Sequence, residues 1–161
     1  MKPITIDFLG KYPQHIPVVA QWHQHEWQHI SPHLTTSLRV HEYSSYQSKP
    51  GIPSCMLAVD EQKPVGSASL VLSDMETHSH LSPWLASVYV HPDYRNRGIA
   101  TELIQHCLNN AKQLGIKKLY LFTPDQAEFY LKRGWQHLEH NIYQNEHVDI
   151  MFYDLTNACG S

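Results

Sequence analysis

Cysteine is scarce in this chain. Cys55, Cys107 and Cys159 are the only three among 161 residues, far apart and in no Cys-x-x-Cys pair. That spacing excludes a disulfide framework and a zinc ribbon, and reduced thiols in a cytoplasmic protein are the expectation. Long apolar runs are missing as well. No stretch approaches the roughly 20 residues of a spanning helix, and Met1-Lys2-Pro3-Ile4-Thr5 lacks the apolar centre of a secretory signal, so no membrane partner is expected. Nor is there an excess of positive charge. Twelve Lys and Arg against 15 Asp and Glu leave a net charge of -3 and no basic stripe, which argues against nucleic acid as a partner. The 7 glycines form neither a Walker A loop nor Gly-x-Gly-x-x-Gly, so a nucleoside triphosphatase and a dinucleotide-binding domain are disfavoured.

The apolar content, 42% of residues, is that of a globular protein large enough to bury a core without staples. One domain is expected over residues 1–155, with a loose tail at 156–161. Histidine is over-used, with 13 residues. The pairs His23/His25, His78/His80 and His137/His140 raise a metal-binding reading, which predicts metal-dependent stability. Against it, side chains two apart on a helix diverge, and none of these pairs has a third ligand at a familiar spacing. His78 and His80, near Asp74 and Glu76, come closest. Scattered surface histidines and no metal are the expectation.

Periodicity then divides the chain. Alternation over 4–8 predicts a strand, and Ile16, Val19, Ala20, His23, Trp27 and Ile30 recur at helical steps before Pro32. A second helix is predicted over 35–46, carrying Leu38 and Val40, and ends before Ser48-Lys49-Pro50-Gly51. Strands at 54–60 and 65–72 form a hairpin. A polar loop at 73–82 leads into a strand at 84–90. The helix over 98–114 repeats Ile99, Leu103, Ile104, Cys107, Leu108 and Ala111 on one face, with Gly115 as its C′ residue. A strand at 118–122, a short helix at 125–133 ended by Gly134, and two strands from Trp135 onward and at 147–155 complete the order.

The stretch Val88-Tyr89-Val90-His91-Pro92-Asp93-Tyr94-Arg95-Asn96-Arg97-Gly98-Ile99-Ala100 organises the rest. An apolar strand meets a short basic turn where a long helix opens. The first backbone N–H groups of that helix have no intrahelical partner, and the positive end of its dipole stands behind them. With Arg95 and Arg97 beside it and Gly98 allowing close backbone approach, the turn is suited to a phosphate or pyrophosphate.

These residues also carry a family resemblance that extends over essentially the whole chain. Arg95-Asn96-Arg97-Gly98-Ile99-Ala100 resembles the Q/R-x-x-G-x-G/A acetyl-CoA loop of the GCN5-related N-acetyltransferases, with Ala100 in the last small position. Ala127-Glu128-Phe129-Tyr130-Leu131-Lys132-Arg133-Gly134-Trp135 is similar to that family's second landmark, a short helix with Tyr followed by Gly-aromatic. The order of elements also matches. Pro83-Trp84-Leu85-Ala86-Ser87-Val88-Tyr89-Val90 further resembles a bacterial subgroup whose substrate is unknown. The resemblance implies an α/β (α+β) fold, a mixed, mostly antiparallel sheet of about seven strands with helices on both faces.

It also implies a function, transfer of the acetyl group of acetyl-CoA to a primary amine on a small molecule or a peptide N-terminus. In such proteins the strand ending at Val90 and the next parallel strand splay apart to admit the pantetheine arm. By resemblance, the backbone of Val88, Tyr89 and Val90 would bond that arm, and an N–H near Tyr89 or Val90 would polarise the thioester carbonyl. Arg95, Asn96, Arg97, Gly98, Ile99, Ala100 and Thr101 would hold the pyrophosphate. Tyr130 would be the acid for the departing thiolate, with Phe129 packed beside the cofactor. Asp125 stands where many relatives have an asparagine on the pantetheine, and helix capping is the competing role. Asp74 and Glu26 are candidates for the general base or for binding a cationic acceptor, and Trp84 for a wall of the acceptor pocket. A homodimer is compatible with the resemblance. The alternative function is a catalytically silent acyl-CoA-binding or regulatory module on the same fold.

Overall fold

A computed structural model describes residues 4–156. Seven strands form one sheet in the order β1-β2-β3-β4-β5-β7-β6. They are β1 (Thr5–Phe8), β2 (Ser54–Asp60), β3 (Lys63–Val71), β4 (Trp84–Val90), β5 (Lys118–Thr123), β6 (Gln136–Tyr143) and β7 (Glu146–Asp154). Neighbours are antiparallel except β4 and β5, which run parallel. The helices are α1 (Ile16–Trp27), α2 (Thr36–Tyr43), α3 (Ile99–Gln113) and α4 (Ala127–Leu131). The mixed sheet and the element order are those the resemblance implies. Residues 1–3 and 157–161 lie outside the described residues, and with them Cys159 and all of the expected tail except Thr156.

Side-chain alternation divides the core between the two faces of the sheet. Met56 and Ala58 of β2 turn to one face with Val65, Ala68 and Leu70 of β3, and α3 covers them with Ile99, Leu103, Ile104, Cys107, Leu108 and Ala111. Cys55, Leu57 and Val59 turn to the other face, against Ile16, Val19 and Ala20 of α1 and Tyr43 of α2. Gly66 lets α3 come close. A Cβ there would stand 3.0 Å from Tyr89 O and 3.1 Å from a Leu103 methyl. Leu103 has no exposed surface, so Leu103→Ala is expected to cost about 2–5 kcal/mol, read as a lower urea midpoint at unchanged slope.

Three sequence expectations change. The second helix is shorter than 35–46, with Thr35 as its N-cap (its side chain accepts from Leu38 N), and it buries Arg39 and Tyr43 while Leu38 is 50% exposed. The buried face is polar because Arg39 is held by hydrogen bonds to Gln24 and Tyr43. The helix expected over 125–133 is only α4, and Asp125 does not cap it. Its N-cap is Gln126, whose N–H is bonded by Thr123 Oγ1 at 3.0 Å. Histidine is not confined to the surface, since His23 is fully buried and His78 nearly so. His78 pairs with Glu139 at 3.2 Å, and His137 and His140 share Asp149. Among the described residues no three ligand-type side chains are grouped to hold a metal ion. Cys55 and Cys107 are free and buried, and burial raises both thiol pKa values. No helix among the described residues is long and apolar enough to cross a membrane.

Candidate active site

The parallel pair β4 and β5 meets at one register position, Trp84 opposite Tyr120, beside a bond from Tyr120 N–H to Pro83 O at 3.0 Å. Beyond it the strands part. The cause lies in β4, where two residues, Ser87 and Val88, lie between Ala86 and Tyr89 while in β3 only Ala68 lies between Ser69 and Ser67. That extra residue is a β-bulge, which bends its strand, and Ser87 within it has φ +54°. The result is a cleft of about 1300 Å³, with residues 85–90 on one side and 121–126 on the other.

Val90 turns its backbone into this notch. His91 N–H donates to Val65 O across the β3 side at 2.8 Å, so the neighbouring pair, Gly66 and Val90, is one whose main-chain groups face away from each other. The Val90 carbonyl accepts from Arg95 Nε at 2.9 Å, and its N–H faces the β5 side. At the cleft's lower end the turn into α3 passes through Asn96 at φ +64° and Gly98 at φ +78°. Gly98 is the N-cap of α3, and the space where its Cβ would stand is open. The first N–H groups of α3 therefore face a clear approach, which fits an anionic group.

The basic residues there are arranged differently from the sequence expectation. Arg95 lines the cleft and stacks 5.7 Å from the Tyr89 ring centroid. Arg97 is not part of the cleft wall, because its guanidinium lies over Tyr94 and bonds Asp93 O at 3.2 Å. Arg133 takes a place on the wall that sequence reasoning missed. It stacks 3.6 Å from the Phe129 centroid and bonds Thr101 Oγ1 at 2.9 Å and Phe129 O at 2.8 Å. In the sequence it reads only as the last residue before a helix-ending glycine.

Tyr130 reaches the cleft from α4 and is 7% exposed. Phe129 and Trp135 meet its ring edge-on at 5.1 and 5.7 Å. Burial raises its pKa further above 10, so the phenol keeps its proton at neutral pH. Ile99, Ala100, Thr101, Asp125 and Phe129 also line the cleft, as do Val88 and Tyr89.

Towards the other end the cleft is acidic, with Glu26 exposed on α1 and Asp74 partly buried in the loop after β3. Asp74 is pushed up to about 7 by burial, against a smaller opposing pull from Arg39. Trp84 is not at this wall, which corrects the expectation. It has no exposed surface, packs with Ile30, Met75 and Ile150, and donates Nε1–H to Leu81 O at 2.7 Å. Aromatic residues that do line the cleft include Trp27 and Tyr89, with ring centroids 6.4 Å apart.

The model of the acetyltransferase (GNAT) family matches residues 16–135 of the chain. The chain is also similar to the amino-acid acetyltransferase of Edwardsiella ictaluri, 38% identical over 55 residues, which are 34% of this chain and 12% of that protein. The corresponding protein of Pasteurella multocida is 42% identical over 52 residues, 32% of this chain and 12% of its own length. The chain thus spans about an eighth of the length of these curated relatives. In structure it resembles an N-acetyltransferase from Staphylococcus aureus Mu50 with a TM-score of 0.74 at 14% identity, covering 96% of this chain and 99% of that one. It also resembles an aminoglycoside 6'-N-acetyltransferase complexed with coenzyme A, with a TM-score of 0.73 at 15% identity over 96% of this chain and 97% of that one.

Proposed function

Since the chain belongs to the GNAT acetyltransferase family, we propose that it transfers the acetyl group of acetyl-CoA to a primary amine, on a small molecule or a peptide N-terminus. The observation that carries this reading is the parting of β4 from β5, which leaves Val90 N–H, Tyr130 and the Gly98 turn along one cleft. Acetyl-CoA supplies an activated thioester and a thiolate leaving group.

The chain's own residues supply the rest. The α3 N-terminus, Arg95 and Arg133 hold the pyrophosphate, and the backbone of Val88 and Val90 bonds the pantetheine amides. Val90 N–H stabilises negative charge as it develops on the carbonyl oxygen. Tyr130 donates its phenolic proton to the sulfur. Asp74 takes a proton from the acceptor's ammonium, and the neutral amine so formed attacks the thioester carbon, a role suited to a carboxyl that titrates near neutrality. Glu26 and Asp74 favour a cationic acceptor.

The test is to follow free thiol release from acetyl-CoA across a panel of amines. Turnover with at least one amine supports the enzyme. Stabilisation by acetyl-CoA with no turnover would favour the silent binding module instead. In the same assay, the Arg95→Ala/Arg133→Ala protein should bind acetyl-CoA about 10-fold more weakly, whereas Arg97→Ala should change little. Equal affinity in the double variant would remove both arginines from the pyrophosphate site.

A further inference from the structure

A line of buried hydrogen bonds runs from α2 to the β4 bulge. Arg39 Nη1 donates to Tyr43 Oη at 3.4 Å, and Tyr43 Oη lies 2.8 Å from His23 Nδ1. His23 Nε2 lies 2.8 Å from Ser67 Oγ, which donates to the carbonyl of Ser87 at 3.0 Å. His23 and Ser67 have no exposed surface. The last bond orients all the others. Ser67 uses its only proton on Ser87, so it must accept from His23 Nε2–H. His23 Nδ1 is then bare and accepts the Tyr43 hydroxyl proton. Burial, aided by the Arg39 cation, lowers the His23 pKa to about 3, which keeps the ring neutral and leaves this one polarity.

The end point is unusual. Ser87 holds φ +54°, a left-handed conformation that is strained for a non-glycine residue. Such a residue persists where its surroundings over-determine it. Its carbonyl is the one that receives Ser67, and it sits in the bulge that turns β4 away from β5.

We propose that Arg39, Tyr43, His23 and Ser67 are positioning residues that lock the Ser87 bulge and so set the backbone of residues 88–90 against the thioester. Their place in catalysis rests on the acetyl-transfer reading above; their hold on the bulge does not. None of the four needs to touch the reacting atoms for this. His23 is a fixed donor and acceptor here, not a base, because a proton on Nδ1 would displace the hydrogen bond that it accepts from the Tyr43 hydroxyl.

The decisive variant is Ser67→Ala, which removes one oxygen and almost no packing. Ser69→Ala on the same strand and face is its control, since the Ser69 hydroxyl is directed to Cys55 instead. Amide hydrogen exchange at residues 87–89 should speed up at least about 10-fold in Ser67→Ala and stay unchanged in Ser69→Ala. With an amine that the wild type acetylates, kcat should fall about 10-fold while KM for acetyl-CoA stays within about twofold. His23→Gln keeps a donor towards Ser67 and should retain more of kcat than His23→Leu. Unchanged exchange at 87–89 in Ser67→Ala would overturn the proposal. Faster exchange with normal kcat would overturn its catalytic part, as would a loss that follows the melting temperature equally in His23→Gln and His23→Leu. If the wild type acetylates no amine, the acetyl-transfer reading fails, and exchange alone still decides whether these residues hold the bulge.

Discussion

Tyr130→Phe is expected to leave the melting temperature and acetyl-CoA affinity nearly unchanged while lowering kcat about 100-fold. Only the phenolic oxygen is lost. The ring keeps its edge contacts with Phe129 and Trp135, so the packing beneath the cleft survives. The leaving thiolate, however, would have to depart without a proton donor. Steady-state kinetics with a thiol-trapping dye, beside calorimetric binding of acetyl-CoA, separates the two effects. A fall in kcat under threefold would remove Tyr130 from the acid role.

Asp74→Asn should move activity and stability in opposite directions. The carboxyl titrates at about 7 in the folded protein against 3.8 when unperturbed, so the native state binds its proton more tightly than the unfolded chain does. Stability from this group is therefore complete below about pH 4 and is lost as pH rises through 7. At 1.36 kcal/mol per decade the displacement is worth at most about 4 kcal/mol, and less where the open cleft hydrates the group. Asn carries no charge to bury. The variant should have a higher denaturant midpoint than the wild type at pH 8, and the difference should vanish towards pH 4.

Turnover should go the other way. The wild-type kcat/KM should rise through an apparent pKa near 7, and Asp74→Asn should lose that limb and about 100-fold in rate at pH 8. Arg39, Glu26, Glu76 and Glu146 line the same cleft and stay in place in the variant. A pH profile that keeps its limb in Asp74→Asn would assign the base to another group.

Both variants act at residues that the sequence places differently well. Tyr130 and the Gly98 turn are local motifs, and a contiguous stretch determines their geometry. The hairpins at 54–72 and 136–154 were legible for the same reason, since alternation and turn residues are near-neighbour signals. Gly98 and Gly115, at φ +78° each, stand where the sequence puts the limits of α3. The acceptor end depends instead on segments far apart in the chain. Arg39, Asp74 and Glu26 come from three of them, and nothing in their spacing tells that they share a cleft. Trp84 failed for a similar reason. A tryptophan on a strand can face either side, and here the bulge that opens the cleft lies beyond it while Trp84 stays in the core. His23 fits the apolar stripe of α1, and only the fold reveals that Ser67 and Tyr43 meet it there.

The lone register contact between Trp84 and Tyr120 has a consequence for cooperativity. It makes the sheet two antiparallel blocks, β1 to β4 and β5 to β7, each closed by its own hairpins. Across that seam there is little ladder, and the two blocks share an apolar core that holds Leu85 of β4 and Leu119 of β5 together with the buried face of α3. The blocks are thus natural units of sub-global opening. A molecule bonded to both lips of the seam would act as a cross-brace. Its binding would raise the exchange protection of β5 and β4 together, although the two strands share almost no hydrogen bonds of their own.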